Sequence, residues 1–214
     1  MIELFYKVLA AYLIGNLMGG QLVGRLRGGV DLRKVGSGNV GATNALRTQG
    51  KGFAIAVLLI DMFKGVGAVV FLPAIQWSWA GASDVSSELQ AYFCGVAVAV
   101  GHCYPVFSGF KGGKGVATLA GVFGALMPIA LIWMLGGFIL TVMLTGYVSL
   151  ATLIATAIAV IYAAGIGLSS APFFFALAMA VLVVWKHREN IQRLARGNES
   201  RFEKAQVLAR WLSR

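Results

Sequence analysis

Apolar stretches long enough to cross a hydrocarbon layer recur from Leu4 to Trp185 and take up most of this 214-residue chain. A bilayer core takes roughly 20 apolar residues per helix. Charge agrees: 12% of the residues are charged and 58% hydrophobic, whereas about a quarter of a soluble domain is charged. The chain is therefore predicted to be an all-α integral membrane protein, one bundle over residues 1–214. A formal net charge of +10 raises the question of nucleic acid. However, the basic residues cluster between spans and at the C-terminus instead of striping one soluble face, so no nucleic-acid partner is predicted.

Loops can be placed by charge before spans are drawn, because short cytoplasmic loops are rich in Lys and Arg. Arg25 to Lys51 holds six basic residues against Asp31 alone, Lys111 and Lys114 mark a second segment, and Lys186 to Arg214 holds eight basic and three acidic residues. All three should face the cytoplasm. Gln76 to Gln90 carries Asp84 and Glu88 without a basic residue and should lie on the far side, between spans Phe53–Ile75 and Leu89–Phe107. The 70 residues from Val116 to Trp185 must cross an even number of times. Four crossings at about 17 residues each fit better than two at about 35, with turns at Gly136-Gly137, Thr145 to Ser149 and Gly165 to Pro172. The run Leu9–Leu22 follows one lysine and precedes Arg25 and Arg27, the reverse of a secretory signal, and counts as a retained first span. Seven transmembrane helices result, N-terminus outside and C-terminus cytoplasmic. Cys94 and Cys103 are too few for a disulfide framework or a zinc site and read as packing residues.

Four polar segments fall on the predicted cytoplasmic side. The first, Gly36 to Asn44 with Arg47, combines glycines with Ser37, Asn39 and Asn44. Glycine permits close backbone approach, so successive N–H groups can converge on an anion, and Ser, Asn and Arg add side-chain donors. Gly38, Asn39 and Gly41 belong to this predicted phosphate cradle. Its match to G-x-G-x-x-G is rejected, since a dinucleotide fold needs a strand and a βαβ unit. The second segment is Asp61-Met62-Phe63-Lys64-Gly65, whose Asp and Lys are neighbours on one helix face. Charges at membrane depth mark a pair or a function. Either the two merely neutralise each other, or they orient the first loop or bring Lys64 to a substrate phosphate.

The third segment, Gly101 to Thr118, resembles a Walker loop only superficially. Gly109 stands one residue too close to Gly113-Lys114, and Gly115 occupies the place of the magnesium-binding Ser or Thr. What remains is a glycine loop with Lys111, Gly112, Gly113, Lys114 and Gly115 that opens a helix reaching Thr118, where unbonded N–H groups and the helix dipole favour phosphate. The fourth, His187-Arg188-Glu189-Asn190, ends the last span with His187 and Asn190 on one face. Beyond it, Arg193 to Arg214 with Leu194, Val207, Leu208, Trp211 and Leu212 reads as a basic amphipathic stretch lying on anionic lipid, within a cytoplasmic tail that spans about residues 187–214.

Taken together, Ser37 to Asn44 with Arg47, Asp61-x-x-Lys64-Gly65, Gly101 to Thr118 and His187-x-x-Asn190 give a sequence that resembles the bacterial acyl-phosphate:glycerol-3-phosphate acyltransferase family, PlsY, over its whole length. The resemblance implies an enzyme of the bacterial inner membrane that works without metal or cofactor. Its substrates would be acyl phosphate and glycerol-3-phosphate, its products lysophosphatidic acid and phosphate. The His-x4-Asp pair of acyl-CoA enzymes is missing, for Phe107 follows His102 by five residues and Gln192 follows His187 likewise. On this reading Ser37, Arg47, Lys114, His187 and Asn190 are catalytic. Ser37, Asn44, Arg47 and Lys114 hold phosphate and polarise the acyl carbonyl, and His187 and Asn190 position glycerol-3-phosphate. The rival reading is a transporter of a phosphorylated solute, which would show inverted repeats and midplane helix breaks. No such repeat is found.

Overall fold

The computed structural model describes residues 1–77, 81, 83–202, 205, 206 and 208, which form ten α-helices with no strand among the described residues. The chain packs as two compact units, Met1–Leu126 and Met127–Arg214. The first holds α1 (Ile2–Gly15), α2 (Gly19–Leu26), α3 (Ala42–Thr48), α4 (Lys51–Ala74), α5 (Ser87–Cys103) and α6 (Val116–Leu126). The second holds α7 (Pro128–Thr145), α8 (Val148–Ile166), α9 (Ala171–Lys186) and α10 (Arg188–Ala195). Of the predicted lipid-binding tail, Val207, Trp211 and Leu212 lie outside the described residues.

Four helices are long and apolar enough to cross a bilayer: α4, α5 with its continuation to Ser108, α7 and α8. The first two match the predicted spans Phe53–Ile75 and Leu89–Phe107. Two bent pairs, α1 with α2 at 45° and α9 with α10 at 61°, raise the number to six if each pair is one crossing. The predicted span Leu9–Leu22 straddles the first bend, where Asn16 to Met18 leave the helix. The turns at 145–149 and 165–172 appear as expected. Gly146 adopts the left-handed conformation after α7, and Ser170 caps α9 by accepting from Phe173 N at 3.3 Å.

The turn predicted at Gly136-Gly137 is not there; both glycines lie inside α7. A Cβ on Gly137 would meet Cδ1 of Ile158 in α8, so this glycine serves helix packing and not chain reversal. The break comes instead at Met127–Pro128, with proline at the first position of α7, where its missing N–H costs nothing. Consequently α6 has 11 residues, about 16 Å of helix, and a seventh crossing would rest on it alone.

Small residues set the helix contacts in both units. Gly15 of α1 and Gly101 of α5 face each other so closely that a Cβ on either would strike backbone, Val98 O or Tyr12 O. Between α4 and α6, Gly65 lies against Thr118 O and Gly121 against Met62 O. In the second unit Ala151, Ala155, Ala159 and Ala163, four apart along α8, are all buried. Such small-residue stripes let helices pack where lipid offers no hydrophobic drive. Ile132, Trp133, Ile139 and Leu140 of α7 are all more than half exposed, a surface suited to lipid and not to water. In α1 the buried Lys7 is satisfied by Glu3 at 2.8 Å, Gln90 Oε1 at 2.9 Å and Pro73 O at 3.2 Å, which fills its three donors.

Candidate active site

Asn44, in the first turn of α3, is the hub of the first glycine loop. Its Nδ2 donates to Asn39 O at 2.9 Å, Val35 O at 3.0 Å and Leu32 O at 3.1 Å, while its Oδ1 accepts from Ser37 N at 3.0 Å. The side chain is buried, and its hydrogen-bonding capacity is consumed within the loop. Asn44 therefore shapes the loop, and its amide donors are committed there, which corrects the expectation that it reaches out to phosphate. Gly36, at φ 58°, passes so close to Asn44 that no Cβ would fit. Ser37, Gly38 and Arg47 are exposed and Asn39 and Gly41 half-buried, so they are presented on the outside of a loop whose interior is Asn44. A cluster of Val23, Leu32, Ala45, Phe53, Ala54 and Val57 supports it from below.

The second loop leaves α5 through Tyr104, whose carbonyl accepts from Tyr12 Oη at 2.8 Å. Gly109 and Phe110 are both left-handed, at φ 60° and 61°. The chain then turns back so that Gly113 N donates to His102 O at 3.1 Å. Lys114 is half-buried, Lys111 exposed and Gly112 half-buried, whereas Gly113, Gly115 and Thr118 are buried. Gly115, at φ 80°, precedes α6, and Cys103 Sγ sits 3.1 Å from where its Cβ would be. Lys114 is thus held at the N-terminus of α6, where first-turn N–H groups lack helical partners. Helix α2 ties the two loops together. Its Gly20 lies against Val40 O of the first, and its Gln21 bonds Ser108 of the second at 3.0 Å.

Asp61 and Lys64 are buried in α4, 2.8 Å apart. Lys64 Nζ also donates to Leu17 O at 2.8 Å and Gly15 O at 3.1 Å and lies 2.7 Å from His102 Nδ1. Asp61 Oδ1 accepts from Gly19 N at 3.1 Å. The cation therefore caps the C-terminal end of α1 and the anion the N-terminal end of α2, each meeting the helix dipole of opposite sign. With its donors filled by protein, Lys64 is not placed as a phosphate ligand, and it holds the bend between α1 and α2 instead of the first loop named as its alternative. His102 belongs to this node although no site role was predicted for it, whereas Asp61 is the partner of Lys64 that the sequence offered. The signal was present, an ionisable residue inside an apolar run, but its partners lie 38 to 49 positions away.

In the second unit His187 sits on the bend between α9 and α10, buried, with Nδ1 2.8 Å from Val183 O. A carbonyl only accepts, so Nδ1 carries the proton and the orientation of the ring is fixed. Asn190 is buried in the first turn of α10 and donates to Glu199 Oε1 at 2.7 Å. Glu199, missed at the sequence level, also accepts from Arg193 Nε at 2.7 Å and Ser149 Oγ at 2.9 Å. Around it, Phe202 N bonds Gly146 O at 2.8 Å and Gln206 bonds Thr145 O at 2.7 Å, strapping the segment after α10 to the α7–α8 turn.

Burial pushes the Glu199 carboxyl up, but hydrogen bonds from Arg193, Asn190 and Ser149 outweigh it and hold the group below its ordinary value of 4.5. A depressed folded-state pKa gives stability that is complete above the unfolded value and lost as pH falls through the folded one. The melting temperature of the wild type should therefore exceed that of Glu199→Gln at pH 7, and the gap should close as pH drops below about 4. A gap that widens in acid would refute this assignment.

A separate pocket of about 260 Å³ beside α2 is lined by Gln21, Arg25, Gly29, Val30, Asp31, Arg33, Phe107 and Ser108 and contains none of the predicted site residues. There the Arg33 side chain holds the Asp31 carboxyl below its usual range.

A sequence model of the family described as glycerol-3-phosphate acyltransferase matches residues 5–197. The chain is 42% identical over 202 residues to the glycerol-3-phosphate acyltransferase of Aquifex aeolicus, covering 92% of this chain and 98% of the relative. It is 40% identical over 195 residues to that of Geobacter sulfurreducens, covering 90% and 94%. Two crystal structures of PlsY, an integral membrane glycerol 3-phosphate acyltransferase, are similar. The glycerol 3-phosphate form has a TM-score of 0.83 at 38% identity, and the lysophosphatidic acid form 0.82 at 37%, each covering 96% of this chain and 98% of the other.

Proposed function

Because the chain belongs to the glycerol-3-phosphate acyltransferase family, we propose that it takes its acyl group from a fatty acyl phosphate and passes it to the 1-hydroxyl of glycerol-3-phosphate. The hydroxyl oxygen attacks the acyl carbonyl carbon, the bond from that carbon to the phosphate oxygen breaks, and the hydroxyl proton leaves on the phosphate. Phosphate is a good leaving group, so the protein mainly has to hold two anions together and stabilise charge as it moves. That requirement is met by cations set on glycine-rich backbone, and the observation that carries the reading is Lys114, held between Gly113 and Gly115 at the start of α6.

In this mechanism Ser37, Arg47 and Lys114 hold phosphate oxygens and polarise the carbonyl, with the backbone of Asn39, Gly41, Gly112 and Gly115 supplying N–H groups, whereas the N–H groups of Gly38 and Gly113 are taken by Val35 O and His102 O and these two glycines shape the loops. Lys111 adds positive charge nearby, and Thr118 in the first turn of α6 offers its hydroxyl to a phosphate oxygen. His187 and Asn190 position glycerol-3-phosphate, and a substrate phosphate oxygen serves as base. No metal or cofactor takes part. The chain sits in the bacterial inner membrane with its N-terminus outside, α6 as a short seventh crossing and the reaction at the cytoplasmic face, the acyl chain extending into the bilayer.

Donor choice is the decisive test. Purified protein given labelled glycerol-3-phosphate should form 1-acyl-glycerol-3-phosphate from palmitoyl phosphate and none above background from palmitoyl-CoA. Equal rates from both donors would end the proposal, and uptake of label into vesicles without acylation would favour a transporter.

A further inference from the structure

His102 touches the second glycine loop at three points. Its carbonyl accepts from Gly113 N at 3.1 Å, a Cβ on Gly112 would strike that same carbonyl, and a Cβ on Gly113 would strike its ring at Nε2. Gly113 is buried, and its φ does not lie in the left-handed region. An alanine could adopt that backbone conformation without strain. The reason for glycine at 113 is therefore the space taken by the His102 ring. The ring in turn is fixed from its other edge. Lys64 Nζ lies 2.7 Å and Asp61 Oδ1 3.5 Å from Nδ1. Lys64 is pinned by Asp61 and by the carbonyls of Gly15 and Leu17.

We propose that Asp61, Lys64 and His102 form a positioning unit that sets the Gly112–Gly115 loop, and with it Lys114, through the contact of the His102 ring with Gly113. The unit transmits the position of the α1–α2 bend to the loop. It touches no substrate and acts through Gly113. This inference rests on the reading of the loop as a phosphate site.

The test exploits the two edges of the ring. Asparagine at 102 keeps an acceptor near the place of Nδ1 and opens the space beside Gly113, whereas glutamine fills the Nε2 side and gives up the bond to Lys64. Gly113→Ala should lower kcat/KM at least tenfold, mostly as a higher KM for glycerol-3-phosphate or palmitoyl phosphate. His102→Asn combined with Gly113→Ala should recover at least fivefold of that loss, and His102→Gln with Gly113→Ala should recover none. Melting temperatures of the same variants should show the same pattern, giving a readout independent of turnover.

An unchanged Gly113→Ala deficit in the His102→Asn background overturns the proposal, as does full activity of Gly113→Ala alone. His102→Ser opens the same space and replaces His102→Asn if the latter does not fold. Loss of folding in both leaves a purely structural histidine and also overturns it. The underlying reading fails separately: Lys114→Ala at wild-type activity would remove the phosphate site, while the coupling between positions 102 and 113 would still be visible in melting temperature.

Discussion

Lys114→Ala is expected to lower kcat/KM by about 10²- to 10³-fold, the usual cost of losing one preorganised donor aimed at developing charge. The effect should be that large because two anionic substrates must be held together, and each cation removed restores repulsion as well as deleting a hydrogen bond. Lys114 sits on a loop stabilised by backbone contacts with His102 and by the Gly115 turn, so the folded state should survive the change and melting should stay cooperative. Lys114→Arg should recover only part of the activity, since a planar guanidinium cannot occupy the volume of a compact ammonium between two buried glycines. A tenfold or smaller loss for the alanine variant, measured with palmitoyl phosphate at saturating glycerol-3-phosphate, would move the phosphate site elsewhere.

What the sequence disclosed, and what it hid, follow from the range of the interactions. The spans around α4 and α5 were legible because hydropathy is a local property, and a loop at Gly36 to Gly41 was legible because glycine next to Ser and Asn breaks a helical pattern. Gly137 was misread because a glycine that makes room for Ile158 on another helix looks, in one dimension, the same as a glycine that turns the chain. Asn44 was placed in the right loop but given the wrong task. Residue type shows that it can bond an anion, and only the fold shows that its donors and acceptor are already committed to Leu32, Val35, Asn39 and Ser37. Glu199 was passed over because an acid in a basic tail has no local signature; its meaning comes from Ser149, 50 positions away.

The node around Lys64 turns this difference of range into a stability prediction. Lys64→Met should cost about 3–5 kcal/mol, the typical result of removing one member of a buried ion pair. Two terms contribute. Asp61 keeps its bond from Gly19 N but loses its counter-charge, and the carbonyls of Gly15 and Leu17 lose their shared donor at the point where α1 ends. The double variant Asp61→Asn/Lys64→Met separates them, because asparagine can still accept from Gly19 N but brings no uncompensated charge. If the charge term dominates, the double variant should unfold at a higher temperature than Lys64→Met alone. If the orphaned carbonyls dominate, at about 1–3 kcal/mol each, the two variants should melt together, and α2 should be the first segment to gain hydrogen exchange. Lys64→Met with wild-type stability in lipid would mean that the bend between α1 and α2 holds without the ion pair, and the node would lose its structural role.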